Sequence, residues 1–199
     1  MSSNSEPVAR EASTTLHRRW RPLSAGRRER LRDEARAALA EMVVDRRDLV
    51  EAMRYFGDSF DESSFVAAFH RRREDPDAAK LVNQLQWPLT SVVNQMNTVL
   101  SCGVVLSKLR GLRAAESMPK VYGALRDAGV ITAPEAEQFG RLNHVRNSLQ
   151  HRYGGVADGQ EVHAAVLLAV GLLHRFGQDF GGWLRETGVV EPRSGHPEV

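Results

Sequence analysis

The sequence predicts an all-α protein, an antiparallel bundle of helices, and three observations carry that prediction. Apolar residues recur at spacings of three, four and seven along most of the chain, the repeat that places them on one face of a helix. No stretch alternates with period two between turn signals, as a half-buried strand does. With 199 residues and 42% apolar content, the chain can bury the core of one domain with appendages.

The elements follow in order. Residues 1–15 are rich in Ser, Glu and Ala without periodicity and read as a flexible arm. Leu31, Ala35, Ala38, Met42, Leu49 and Met53 then mark an amphipathic helix over about 25–55, with Ser24 as its N-cap. A short helix over about 62–73 closes at Asp75-Pro76, where the proline suits the first turn of the next helix. That helix runs over about 76–110, and Pro88 is expected to kink or break it, because proline lacks the amide and crowds the preceding turn. Its second half, SVVNQMNTVLSCGVVLSKL, is apolar on several sides and is expected to be surrounded by neighbours. Gly111 and Pro119 punctuate a connection, and PKVYGALRDAGV reads as a short helix ended by Gly129. Thr132 with Glu135 resembles a capping box at the head of a helix over about 134–153. A last helix over about 161–185 contains the apolar run AAVLLAVGLL. The expected division is an N-terminal arm at 1–15, a helical extension at 16–74, a helical domain at 75–186 and a flexible tail at 187–199.

Composition removes several function classes. The net charge of +2 is nearly neutral, and the pI of about 9.0 reflects arginine, since only Lys80, Lys108 and Lys120 of the 27 basic residues are lysines. Such an Arg- and Ala-rich bias is what GC-rich codon usage produces, so the pI is poor evidence for nucleic acid. One cysteine, Cys102, excludes an internal disulfide and every multi-cysteine zinc pattern. The start is polar and then arginine-rich, unlike a secretory leader. The apolar run from Ala164 to Leu173, flanked by His163 and His174, is too short to span a bilayer. A soluble, cytoplasmic protein with no membrane association is expected.

Chemistry concentrates in RNSLQHRYGG, residues 146–155. On a helix, Leu142, Val145, Leu149 and Tyr153 share a core-facing arc, and Asn143, Asn147 and Gln150 share the adjacent polar one. Arg146 sits at the rim, and His151 lies about 140° around from it, so one straight helix does not aim both at one atom. The helix could loosen before Gly154-Gly155, or a second subunit could bring the same helix end across a two-fold axis. Arginine offers a planar fork to a phosphate and histidine moves protons near neutral pH. An Arg–His pair without metal ligands therefore suits cleavage of an RNA phosphodiester, in which the 2′-hydroxyl is the built-in nucleophile. By spacing alone the same residues better suit a plain helix C-terminus, where Arg, Asn and His meet its partial negative charge and cap its carbonyls.

Arg146, His151 and Tyr153 form R-x4-H-x-Y, with Asn147 directly after the arginine. This pattern resembles the signature of the HEPN superfamily, and specifically of HepT-like toxins that pair with minimal nucleotidyltransferase (MNT) antitoxins. The surrounding ESMPKVYGALRDAGVITAPEAEQFGRLNHVRNSLQHRYGGV, residues 116–156, is similar to that family's run of short helix, AGVI turn, long helix and motif. The similarity extends over residues 75–185; the N-terminal helix is longer than a minimal member needs. The resemblance implies a HEPN-like bundle with an extra N-terminal helix that dimerises to build its cleft. It implies that Arg146 orients the scissile phosphate, that His151 transfers protons and that Asn147 aids positioning. Tyr153 matches the tyrosine that an MNT partner modifies with AMP, which would block RNA. The implied activity is a metal-independent endoribonuclease toxin without cofactor, acting as a homodimer on RNA and neutralised by AMPylation. The alternative from another class is a non-catalytic HEPN module that binds a nucleotide or a nucleotidyltransferase partner. An arginine-rich DNA-binding regulator has no recognition-helix signature to support it.

Other features are weaker. His144 lies two turns before His151 and could join the cleft as an auxiliary group, or stand as a solvated surface residue. His163 and His174 lack carboxylates at ligand spacing, so no metal site is expected there. HRRRED, from His70, could track an RNA backbone or form a solvated turn. Cys102, within an apolar helix, is expected in the core. No phosphate-binding glycine loop, nucleophile elbow or HExxH occurs.

Overall fold

In the computed structural model, which describes residues 23–107, 109, 117–150 and 158–191, helix α1 (Ala25–Met53) begins at Ser24. The Ser24 hydroxyl accepts the Arg27 amide at 3.3 Å, the N-cap bond that the sequence predicts. Leu31, Ala35, Ala38, Met42, Leu49 and Ala52 are buried along one stripe. A single 3-10 turn (Arg54–Phe56) and Gly57, at φ 94°, then reverse the chain. Helix α2 (Glu62–Arg71) is capped by Asp61, whose carboxylate accepts the Ser64 amide at 2.7 Å and the Ser63 hydroxyl at 2.6 Å.

Helix α3 (Pro76–Leu106) is the axis of the molecule: α1 lies along it, and α2, α4, α5 and α6 also touch it. It is long and apolar enough by composition to cross a membrane, but most of that apolar stretch is buried by the other helices. Pro88 does not break it. The proline is itself buried, and Leu85, Leu89, Val92 and Val93 on either side are packed, so tertiary contact holds the turns that one missing hydrogen bond weakens. Helix α4 (Met118–Asp127) ends at Gly129, whose φ of 71° is the left-handed geometry that favours glycine. Helix α5 (Ala133–Gln150) opens with the expected capping box: the Glu135 carboxylate accepts the Thr132 amide at 2.7 Å, and the Thr132 hydroxyl accepts the Glu135 amide at 3.3 Å.

The single last helix expected from the sequence is two. Helix α6 (Gly159–Asp179), with a capping box at Asp158 and Glu161, stops at Phe180, and α7 (Gly181–Glu186) follows. Turning there lets Phe180 stack on Phe176 at 4.6 Å and meet Phe139 edge-on at 6.0 Å. It also carries the Trp183 indole against Gly103 of α3, so closely that a Cβ at position 103 would lie 2.2 Å from the ring. Residues 187–189, assigned from the sequence to a flexible tail, belong to the core instead. Thr187 and Val189 are buried, Arg36 of α1 donates to the Gly188 and Val189 carbonyls at 3.2 and 3.1 Å, and Arg32 to that of Thr187 at 3.4 Å. The arm at 1–15 and the tail from 192 lie outside the described residues. The fold is all-α, with no strand among the described residues.

Candidate functional site

Arg146 and Asn147 sit on the last turn and a half of α5, both half-buried, and Leu142, one turn before Arg146, and Val145 pack into the core. An Arg146 Nη1 donates to Asn147 Oδ1 at 2.5 Å. The Arg146 side chain lines a cleft of about 390 Å³ with Leu31 and Glu34 of α1, Asn94, Asn97, Thr98 and Ser101 of α3, and Met118 of α4. The helix that the sequence assigns to an extension therefore walls the cleft that holds the motif arginine.

Behind the arginine lies a buried polar relay. Tyr122 of α4 donates its hydroxyl to Asn97 Oδ1 at 2.6 Å, and Asn97 Nδ2 donates to Asn143 Oδ1 of α5 at 3.0 Å. Three helices are thus tied together one turn from Arg146. Burial raises the Tyr122 hydroxyl pKa, and the nearby Arg146 charge pulls it partly back, so the phenol is a donor and not a phenolate. Arg146 Nε is buried without an acceptor among the described residues. An unmet donor of this kind costs roughly 1–3 kcal/mol and calls for a reason. An oxyanion beside the guanidinium is the ligand its charge and planar fork suit best.

His144 is exposed and lines a different cleft of about 830 Å³ between α5 and α6, with Glu137, Arg141 and Glu161. The structure does not bring it to the Arg146 cleft. His151 and Tyr153 lie outside the described residues. His163 is a packing residue: it is buried, stacks on Phe60 at 4.4 Å and donates from Nε2 to the Phe60 carbonyl at 2.8 Å. His174 is exposed. Within HRRRED, Arg72 lies over the Phe69 ring and donates to the Phe69 carbonyl, which ties it to its own helix. Cys102 is buried as expected, and desolvation, with Glu34 beside it, pushes its thiol up to about 12.

Sequence reasoning missed Glu34, Asn97 and Tyr122, and it placed Asn143 on the polar arc of α5 without its partner. A signal existed for the Asn97–Asn143 pair. Asn94 and Asn97 are spaced three apart in an otherwise apolar helix, and Asn143 stands four residues before Asn147 on the same face. No such signal marks Glu34, one charge among many on α1. No family model, curated protein or solved structure matches the chain.

Proposed function

We propose that the chain is a metal-independent endoribonuclease toxin of the HEPN/MNT type, neutralised by a nucleotidyltransferase antitoxin that AMPylates Tyr153. The observation that carries this reading is the motif R-x4-H-x-Y, with its arginine half-buried on the wall of a polar cleft and one guanidinium donor unmet. In the proposed reaction an RNA 2′-hydroxyl attacks its own 3′-phosphorus. The O2′–P bond forms, the P–O5′ bond breaks, and the products are a 2′,3′-cyclic phosphate and a 5′-hydroxyl. Arg146 neutralises the charge that gathers on the phosphoryl oxygens, held at its angle by Asn147. His151 moves the proton, as base to the 2′-hydroxyl or as acid to the departing O5′. A homodimer in the cytoplasm would supply two copies of the motif to one cleft. AMP on Tyr153 would add bulk and negative charge beside that cleft and repel the RNA backbone.

The test is expression of the chain alone, beside Arg146→Ala and His151→Ala, with growth and RNA integrity as readouts. The proposal expects the parent to arrest growth and fragment RNA, and both variants to do neither. Toxicity retained by both variants would remove these residues from catalysis.

A further inference from the structure

Trp87 is 79% exposed, unusual for the side chain that gains most from burial, and it projects from the middle of α3 beside the rigid Pro88. It lines an open cleft of about 1070 Å³. Asn83, one helical turn before Trp87 on the same face, Lys80 and Gln150 line it too, and α1 contributes Asp45 and Asp48. Gln150 is four residues beyond Arg146 on α5, about 6 Å along the axis. The Asp45 Oδ2 is buried with no hydrogen-bond donor among the described residues. Burial raises the Asp45 pKa, a side-chain hydrogen bond with Ser91 lowers it, and the Glu41 and Asp48 charges push it up again.

A flat aromatic face, a carboxylate with one oxygen lacking a donor and exposed amides fit an unpaired base and not a phosphate, which the two aspartates would repel. Guanine alone among the four bases presents two adjacent N–H donors, N1–H and the 2-amino group, to a carboxylate on its Watson–Crick edge. We infer that this cleft is the specificity subsite of the proposed nuclease, where a guanine flanking the scissile phosphate stacks on Trp87 and donates to Asp45. The inference rests on the RNA-cleaving reading of Arg146, but its test does not need catalysis.

The test uses full-length protein carrying Trp20→Phe, so that Trp87 is the exposed fluorophore while Trp183 is packed against Gly103. Short 2′-O-methyl oligonucleotides, which cannot be cleaved, are titrated with guanine, adenine, cytosine or uracil at one position in a uniform background. The expected result is quenching, with the guanine strand bound at least about 10-fold tighter than the uracil strand. Trp87→Ala is expected to weaken binding about 10- to 100-fold. Asp45→Asn is expected to erase the guanine preference while leaving residual stacking. Equal binding of all four strands, or a guanine preference untouched by Asp45→Asn, overturns the inference. So does a Trp87→Ala protein that binds RNA like the parent but loses a co-purifying protein partner, since the face then belongs to that partner. Guanine binding by a chain that never cleaves RNA leaves this subsite standing and removes the nuclease reading instead.

Discussion

Replacing Asn97 by Ala tests whether the polar relay behind Arg146 holds the bundle together. Asn97 is 6% exposed and Tyr122 is 3% exposed, so neither can exchange its lost partner for bulk water without opening the structure. The substitution deletes the 2.6 Å bond from Tyr122 and the 3.0 Å bond to Asn143, and it leaves a phenol donor and an amide oxygen unmet. With about 1 kcal/mol for each bond and a further penalty for the stranded groups, the loss is about 2–4 kcal/mol. Tyr122→Phe keeps the ring stacked on Phe139 at 5.6 Å and removes only one bond, for about 1–2 kcal/mol. The two changes share a partner, so the double variant is expected to lose at least about 1 kcal/mol less than the sum of the singles. Urea denaturation followed by far-UV circular dichroism reads all three at constant slope. Strict additivity, or a cost below about 0.5 kcal/mol for Asn97→Ala, would refute the relay as a stabilising network.

Other consequences can be checked separately. Gly103→Ala gains helix propensity but drives a methyl into the Trp183 ring, and a net loss of about 1–3 kcal/mol is expected in thermal or urea unfolding; a stabilised variant contradicts the packing. Asp61 is held at a pKa of about 2, below its ordinary 3.8, by the Ser63 hydroxyl and then the Ser64 amide. Its contribution to stability is thus complete above about pH 4 and is lost as the pH falls through about 2. A carboxyl-carbon NMR titration should find its midpoint near 2 in the folded protein, and a midpoint near 4 would show that the N-cap bonds do not form. Cys102, buried and with its thiol pushed up to about 12, should react with an aromatic disulfide reagent only after unfolding; stoichiometric reaction in native buffer at neutral pH would contradict its burial.

The helices were legible wherever a local device writes them. Ser24, Asp75-Pro76, Gly129 and the Thr132–Glu135 box each satisfy or end a helix terminus with residues a few positions apart, and the structure uses all four. Misreadings came where distant partners decide. Pro88 satisfies the local rule for a kink or a break, and the packing around it keeps the helix continuous from Pro76 to Leu106. The end of α6 at Phe180 depends on Phe139 and Phe176, and the docking of residues 187–189 depends on Arg32 and Arg36, some 150 positions away. At the site, the pattern around Arg146 was visible in the sequence, whereas its cleft was not, because α1 and α3 supply the walls. His144 shares the helix but opens on another face, as its separation of two residues from Arg146 dictates.

The central claim is that Arg146 and His151 cleave RNA without a metal ion. The most direct measurement incubates the purified chain, expressed without any nucleotidyltransferase, with end-labelled RNA in excess EDTA. Cleavage leaving 2′,3′-cyclic phosphate ends, reduced at least about 100-fold in Arg146→Ala and in His151→Ala while both variants unfold like the parent, is the predicted result. Intact RNA with the parent chain, or equal cleavage by all three proteins, would contradict it.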